Sequence, residues 1–143
     1  MVKLWTREEY HKKKWKEIMK IENCPFCTNY KENKWHIIWE WKHWFIIHNL
    51  YSYSWNEKNL LAVPFVHKKV FLELSDEELL EFREVNIFIK NFFWEDNYFS
   101  CLRETMANRS VEHLHYHYIP WKLQWKYLRK MLMDQWFPIV EEL

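Results

Sequence analysis

The sequence predicts an α+β fold: an antiparallel sheet of about five strands, one long packed helix, and a helix near each end. Three observations carry this. Aromatic-rich runs such as "HIIWE" and "HWFIIHN" follow each other with a connection too short for anything but an antiparallel pair. One segment, "SDEELLEFREVNIFIKNFF", carries apolar residues at helical spacing behind a capping signal. No repeat, linker or low-complexity stretch interrupts the 143 residues, so residues 1–143 are expected to form a single domain, long enough to bury a core without disulfides.

Taken in order, residues 6 to 20 read as a charged helix opened by Thr6, with Glu9 completing a capping box. A cysteine knuckle, "ENCPFCTNY", follows. The runs "HIIWE" and "HWFIIHN" are strands joined around Trp41 and Lys42, and "NLLAVP" is a third strand closed by Pro64. The clearest helix comes next, capped by Ser75 with Glu78 three residues on, its stripe formed by Leu79, Phe82, Val85, Ile89 and Phe92. Leu80, Ile87, Phe88 and Phe93 widen that surface beyond one stripe, which points to a second packing surface and a homodimer. "NYFSCLRE" and "VEHLHYHYIP" complete the sheet, and "QWKYLRKMLMDQ" forms the terminal helix.

The charge balance excludes some function classes. A net charge of +1 with interspersed signs leaves no electrostatic footprint for duplex nucleic acid. No apolar run approaches the roughly 20 residues of a membrane span, and the amino terminus has no apolar signal core. The expected setting is cytoplasmic, where three cysteines serve metal binding or redox chemistry better than disulfides.

Glycine is absent and tryptophan occurs 11 times. Several tryptophans stand where a turn glycine is expected, as in "NFFWEDNY" after the long helix. The expectation is that Trp15, Trp35, Trp41, Trp55, Trp94, Trp121, Trp125 and Trp136 occupy glycine positions, as happens when UGA codons meaning glycine are read as tryptophan, whereas Trp5, Trp39 and Trp44 are native. The alternative is a chain that is deliberately glycine-free or simply rich in aromatics. UGG codons at the eight positions would exclude recoding.

Two motifs carry chemistry. In "VEHLHYHYIP" the histidines His113, His115 and His117 alternate with apolar or aromatic residues, which reads as a β-strand with all three on one face, about 6.5 Å apart. That spacing lets each imidazole have its own task. "CPFC" admits two readings: a redox pair, which needs a buried strand before it and a helix after it, or a zinc knuckle needing two further ligands, for which histidines are the available supply. Cys101, mid-strand in an apolar setting, reads as a core filler.

Together these motifs resemble the histidine triad superfamily of nucleotide hydrolases and transferases. The resemblance rests on "SVEHLHYHYIP", on "LLAVPFVHKKVFLELSDEE" as the family's Pro-x-x-His segment leading into its long helix, and on "CPFC" upstream. It implies a structural zinc held by Cys24, Cys27, His67 and His113, with the middle histidine, His115, as nucleophile and His117 contacting the α-phosphate. Ser110, Arg109 and Asn108 precede the triad where phosphate donors are needed, and Asn49 matches a ribose-contact position. Lys58 and Asn59 stand where the family often has Gly-His, "ETMANRS" replaces a glycine-rich turn with glutamine, and Trp121 replaces an arginine. Arg109 could take over the glutamine's part or be a solvated surface residue.

The resemblance implies a nucleotidyl hydrolase or transferase acting on a nucleoside phosphoramidate, a dinucleoside polyphosphate or a related nucleoside-phosphate ester, through a covalent nucleotidyl-histidine. The alternative is a zinc-stabilised nucleotide-binding module with little or no turnover. A third arrangement would place His113, His115 and His117 around one catalytic zinc. Either leading reading makes a small nucleotide the partner, with no duplex nucleic acid and no membrane.

Overall fold

The computed structural model describes residues 24–28, 36–49, 58–94, 97–104, 111–120 and 125–134. In chain order these form a short helix α1 (Pro25–Thr28), strands β1 (Ile37–Glu40), β2 (Trp44–His48) and β3 (Leu60–Pro64), and a 3-10 turn at Phe71–Glu73. The long helix α2 (Asp76–Phe93), strands β4 (Tyr98–Leu102) and β5 (Tyr116–Pro120), and helix α3 (Trp125–Asp134) follow. The five strands make one antiparallel sheet in the order β1-β2-β3-β5-β4. The helix expected at residues 6 to 20 lies outside the described residues. No helix among the described residues is long and apolar enough to cross a membrane.

Helix α2 starts as its sequence dictates. The Ser75 hydroxyl accepts from Glu78 N at 3.2 Å while a Glu78 carboxylate oxygen accepts from Ser75 N at 3.0 Å, which satisfies two otherwise orphaned amides. Asp76, Glu77 and Glu78 favour the positive end of the helix dipole and Lys90 the negative end. The helix packs through Val85, Ile89 and Phe93 onto Trp44, Ile46, Leu60, Ala62, Leu114 and Tyr118. Polar ties fix its docking: the Trp44 indole N–H donates to Glu78 O at 2.8 Å, and Tyr118 OH donates to Asn86 Oδ1 at 3.0 Å.

The apolar stripe is rotated slightly from the expected one. Leu79 is exposed, and Glu78 is buried in its place. A leucine is the usual guess for the core, but the Glu78 carboxylate is engaged by the cap and by Lys68 Nζ at 3.5 Å, which offsets its burial. Of the four residues expected to widen the apolar surface, Leu80 and Ile87 are exposed, whereas Phe93 is buried in the chain's own core and Phe88 packs against it.

The connection between β1 and β2 is held from the helix side. Trp41 N donates to Trp44 O at 2.7 Å, and the Glu81 carboxylate accepts from Lys42 N at 3.1 Å and from His43 N at 2.6 Å. Among the tryptophans expected at glycine positions, Trp94 ends α2 with φ 51° and ψ −113°, the one positive φ among the described residues. A Cβ is strained there and glycine is not. Trp41 has no positive φ and Trp125 opens α3, so neither needs glycine; Trp15, Trp35, Trp55, Trp121 and Trp136 lie outside the described residues. Trp44, read as native, is fully buried.

The opposite face of the sheet carries Phe45, Leu61 and Val63, with Phe26, Ile47 and Phe65 packed against them. The histidines belong to this side. The expected strand at 111–120 is shorter than predicted, because β5 begins only at Tyr116. The backbone before it is drawn to another loop, with Leu114 N donating to Lys68 O at 2.7 Å instead of to a neighbouring strand.

Candidate active site and metal cluster

Two loops are knitted together at the carboxyl end of β3. Beyond Pro64 the chain bends through His67 toward the 3-10 turn, and residues 111–115 run beside it. His113 Nε2 donates to Pro64 O at 2.7 Å, and the Lys69–Glu112 ion pair at 3.4 Å adds a tie at the rim. A carbonyl only accepts, so the proton of His113 sits on Nε2 and its Nδ1 lone pair points the other way. There it meets Cys24 Sγ at 3.5 Å and Cys27 Sγ at 3.3 Å. His67 Nδ1 lies 3.3 Å from Cys27 Sγ.

These four side chains form a metal-competent group, their donor atoms all within 4.8 Å of one another. Zinc in a tetrahedron, with Zn–S near 2.3 Å and Zn–N near 2.0–2.1 Å, sets sulfur and nitrogen about 3.6 Å apart, close to the spacings found. The donor chemistry agrees. Burial, with a smaller contribution from His67, lowers the His113 pKa to about 4 against the opposing effect of the Pro64 hydrogen bond. Burial and then Lys69 lower that of His67. Both imidazoles are therefore neutral ligands at pH 7. Although Cys27 is exposed as a residue, burial of its thiol and then the adjacent Cys24 push it up to about 12. A bound cation reverses that preference by taking the thiolate. The residues fit a closed structural zinc site of Cys24, Cys27, His67 and His113. No disulfide joins Cys24 and Cys27.

His115 is buried and differently tied. Its Nδ1 lies 2.6 Å from His113 O, so Nδ1 carries the hydrogen and, in the neutral ring, Nε2 keeps the lone pair. The His117 ring stands 4.9 Å from that of His115. His117 sits in β5 between Leu61 of β3 and Cys101 of β4. Asn49 and Asn59 are both buried, and Asn49 N donates to Asn59 O at 2.8 Å, extending the β2–β3 ladder beyond the strands. By strand alternation Asn59 shares its face with Leu61, and hence with His117. Asn108, Arg109 and Ser110 lie outside the described residues.

Two residues were missed as parts of this site. Cys101 is half-buried directly across from His117, on the site face and away from the helix-side core. Phe26, between the two cysteines, packs its ring 5.6 Å from His113 and 5.3 Å from His115. Nothing in the spacing of "CPFC" announces that contact, which depends on how the knuckle folds over the sheet. The arrangement of three histidines about one metal does not occur: the metal-competent group among the described residues takes His113 alone of the three.

No protein-family model matches the sequence, and no curated protein matches it. Solved structures do. A HIT family protein from Bacillus anthracis superposes with a TM-score of 0.57 at 19% identity, covering 84% of this chain and 84% of that one. A histidine triad protein from Clostridium difficile gives 0.55 at 19% identity, covering 74% of this chain and 96% of the other. Diadenosine triphosphate hydrolase from Plasmodium falciparum gives 0.52 at 17% identity, covering 73% and 77%. At such identities the likeness speaks for the fold, and the fold of this chain is that of the histidine triad proteins.

Proposed function

We propose that this protein is a nucleotidyl hydrolase or transferase of the histidine triad family, acting on a nucleoside phosphoramidate, a dinucleoside polyphosphate or a related nucleoside-phosphate ester. The observation that carries the reading is the bond from His115 Nδ1 to His113 O, which sets the proton on Nδ1 and the lone pair on Nε2, the atom assigned as nucleophile. Nε2 attacks the α-phosphorus, a P–N bond forms, and the bond to the leaving group breaks with its electron pair going to that group, which takes up a proton. Water then attacks the phosphohistidine, releasing the nucleoside 5′-monophosphate and restoring the imidazole; a different acceptor makes the reaction a transfer. Splitting one displacement into two is what nucleophilic catalysis contributes.

The remaining residues take supporting roles in this proposal. His117 contacts the α-phosphate; Ser110, Arg109 and Asn108 supply donors to its oxygens; Asn49 and Asn59, both buried just after β2 and just before β3, hold the nucleoside. Cys24, Cys27, His67 and His113 would hold the zinc, and with all four as ligands it would serve to tie the knuckle to the sheet rather than to take part in the reaction. The named hydrolase of similar fold from Plasmodium falciparum supports a dinucleoside polyphosphate as one candidate substrate. The reading also includes a homodimer through the exposed Leu80 and Ile87 of α2, and a reducing, cytoplasmic setting that keeps both thiols available.

A panel of nucleoside phosphoramidates and dinucleoside polyphosphates, assayed on wild type and His115→Ala, tests the proposal. Turnover by wild type that falls by several orders of magnitude in the variant supports it. Nucleotide binding by wild type without turnover of any member would assign the chain to the zinc-stabilised binding modules instead.

A further inference from the structure

We propose that Phe26 is a positioning residue which, together with the metal cluster, sets the orientation of the His115 imidazole, so that metal occupancy controls the nucleophile as well as stability. This rests on the nucleophilic role assigned to His115 above.

Beside the His117 ring at 4.9 Å, two of the groups that touch the His115 ring are attached to the candidate metal ligands. On one side, His115 Nδ1 donates to the carbonyl of His113, whose own imidazole faces Cys24 and Cys27. On the other, the Phe26 ring lies 5.3 Å from the His115 ring at 57°. Phe26 also meets His113 edge-on, at 5.6 Å and 87°, so one aromatic ring touches both histidines. The knuckle that carries it is tight: Cys27 N donates to Cys24 O at 3.1 Å, and α1 (Pro25–Thr28) begins at the residue after Cys24. Below, Phe26 packs on Phe45, Leu61 and Val63 of the sheet.

The consequence is a closed loop of contacts. A metal drawing together Cys24, Cys27, His67 and His113 holds the knuckle against residues 111–115, and Phe26 and His115 fill the space between. Without the metal, the contacts that join the knuckle to that segment include the thiol–imidazole approaches of Cys24 and Cys27 to His113 at 3.5 and 3.3 Å and the Phe26 ring, with Cys27 also 3.3 Å from His67. The imidazole of His115 then loses one wall and gains freedom to turn or to move its proton between ring nitrogens. Positioning of this kind affects the rate and leaves substrate affinity nearly untouched.

The test is 15N NMR of the His115 ring at fixed pH, on zinc-loaded wild type, zinc-loaded Phe26→Leu, and wild type stripped with a chelator. The loaded wild type should show protonated Nδ1 and unprotonated Nε2. The other two samples should show the two nitrogens averaged toward each other, and Phe26→Tyr should restore the wild-type pattern. With a nucleoside 5′-phosphoramidate, zinc-loaded Phe26→Leu should lose about 10- to 100-fold in kcat with KM within about threefold. Unchanged His115 nitrogens in both the variant and the stripped protein would overturn the proposal. The spectra need no turnover, so they separate this inference from the catalytic reading: absence of activity in wild type would count against that reading while the ring pattern still decides this one.

Discussion

At the residue scale, Trp94 shows how a side chain can contradict its backbone. With φ 51° and ψ −113°, it occupies a region in which only glycine rests without strain, and its indole is 73% exposed, so almost no burial compensates. Trp94→Gly should therefore stabilise the chain by about 1–2 kcal/mol, after subtraction of glycine's larger unfolded-state entropy, as read by denaturant unfolding. No change, or a loss, would remove the structural support for a glycine at this position. That position was legible in the sequence, because a helix of strong periodicity must stop and the residue after Phe93 is where the left-handed turn falls. Leu79 was less legible. Its exposure follows from Glu78 taking the buried place, and a carboxylate becomes tolerable there only through Lys68 and the Ser75 cap, of which Lys68 is a tertiary partner. Cys101 was misread for a similar reason, since its alignment with His117 comes from strand pairing across a long sequence separation.

At the element scale, the knuckle and the two loops around β3 and β5 depend on one another. The motifs "CPFC", the Pro-x-x-His segment and the alternating histidines were readable because ligand chemistry is local to each residue. The start of β5 was not, because the hydrogen bond from Leu114 N to Lys68 O diverts the backbone just before the strand. The cluster predicts one zinc per chain after purification, measured by metal analysis, with less than half an equivalent counting against it. Chelation should lower the melting temperature, since the energy of closing the four ligands contributes to folding. Acidification should release the metal. The His113 pKa is lowered to about 4 by burial and that of His67 is lowered too, so both are neutral when folded and bound; protons that charge them, and that return Cys24 and Cys27 to thiols, compete with the cation as pH falls.

At the scale of the whole molecule, helix α2 covers one face of the sheet and the histidines occupy the other, so the core and the site are built from alternate residues of the same strands. The outer surface of α2 exposes Leu80 and Ile87, seven residues apart and hence on one side of the helix, while Phe88 is stacked at 6.3 Å on Trp39. Pairing of two chains through that side predicts a particle of twice 18.4 kDa by light scattering at micromolar concentration. The double substitution Leu80→Glu with Ile87→Glu should shift it to the monomer. Phe88→Glu is the poorer probe because that ring also packs within its own chain.

The central claim is that His115 forms the covalent bond to the nucleotide. Its Nδ1 proton is committed to His113 O, His113 belongs to the group that could hold a metal, and His117 stands one ring further along. The most direct measurement is mass spectrometry of a reaction quenched in the steady state, with the modified peptide sequenced. A nucleotidyl adduct on His115, absent in His115→Ala together with at least a thousandfold loss of turnover, is the predicted result. An adduct on His117, or a His115→Ala protein that keeps more than about a tenth of wild-type turnover, would contradict it.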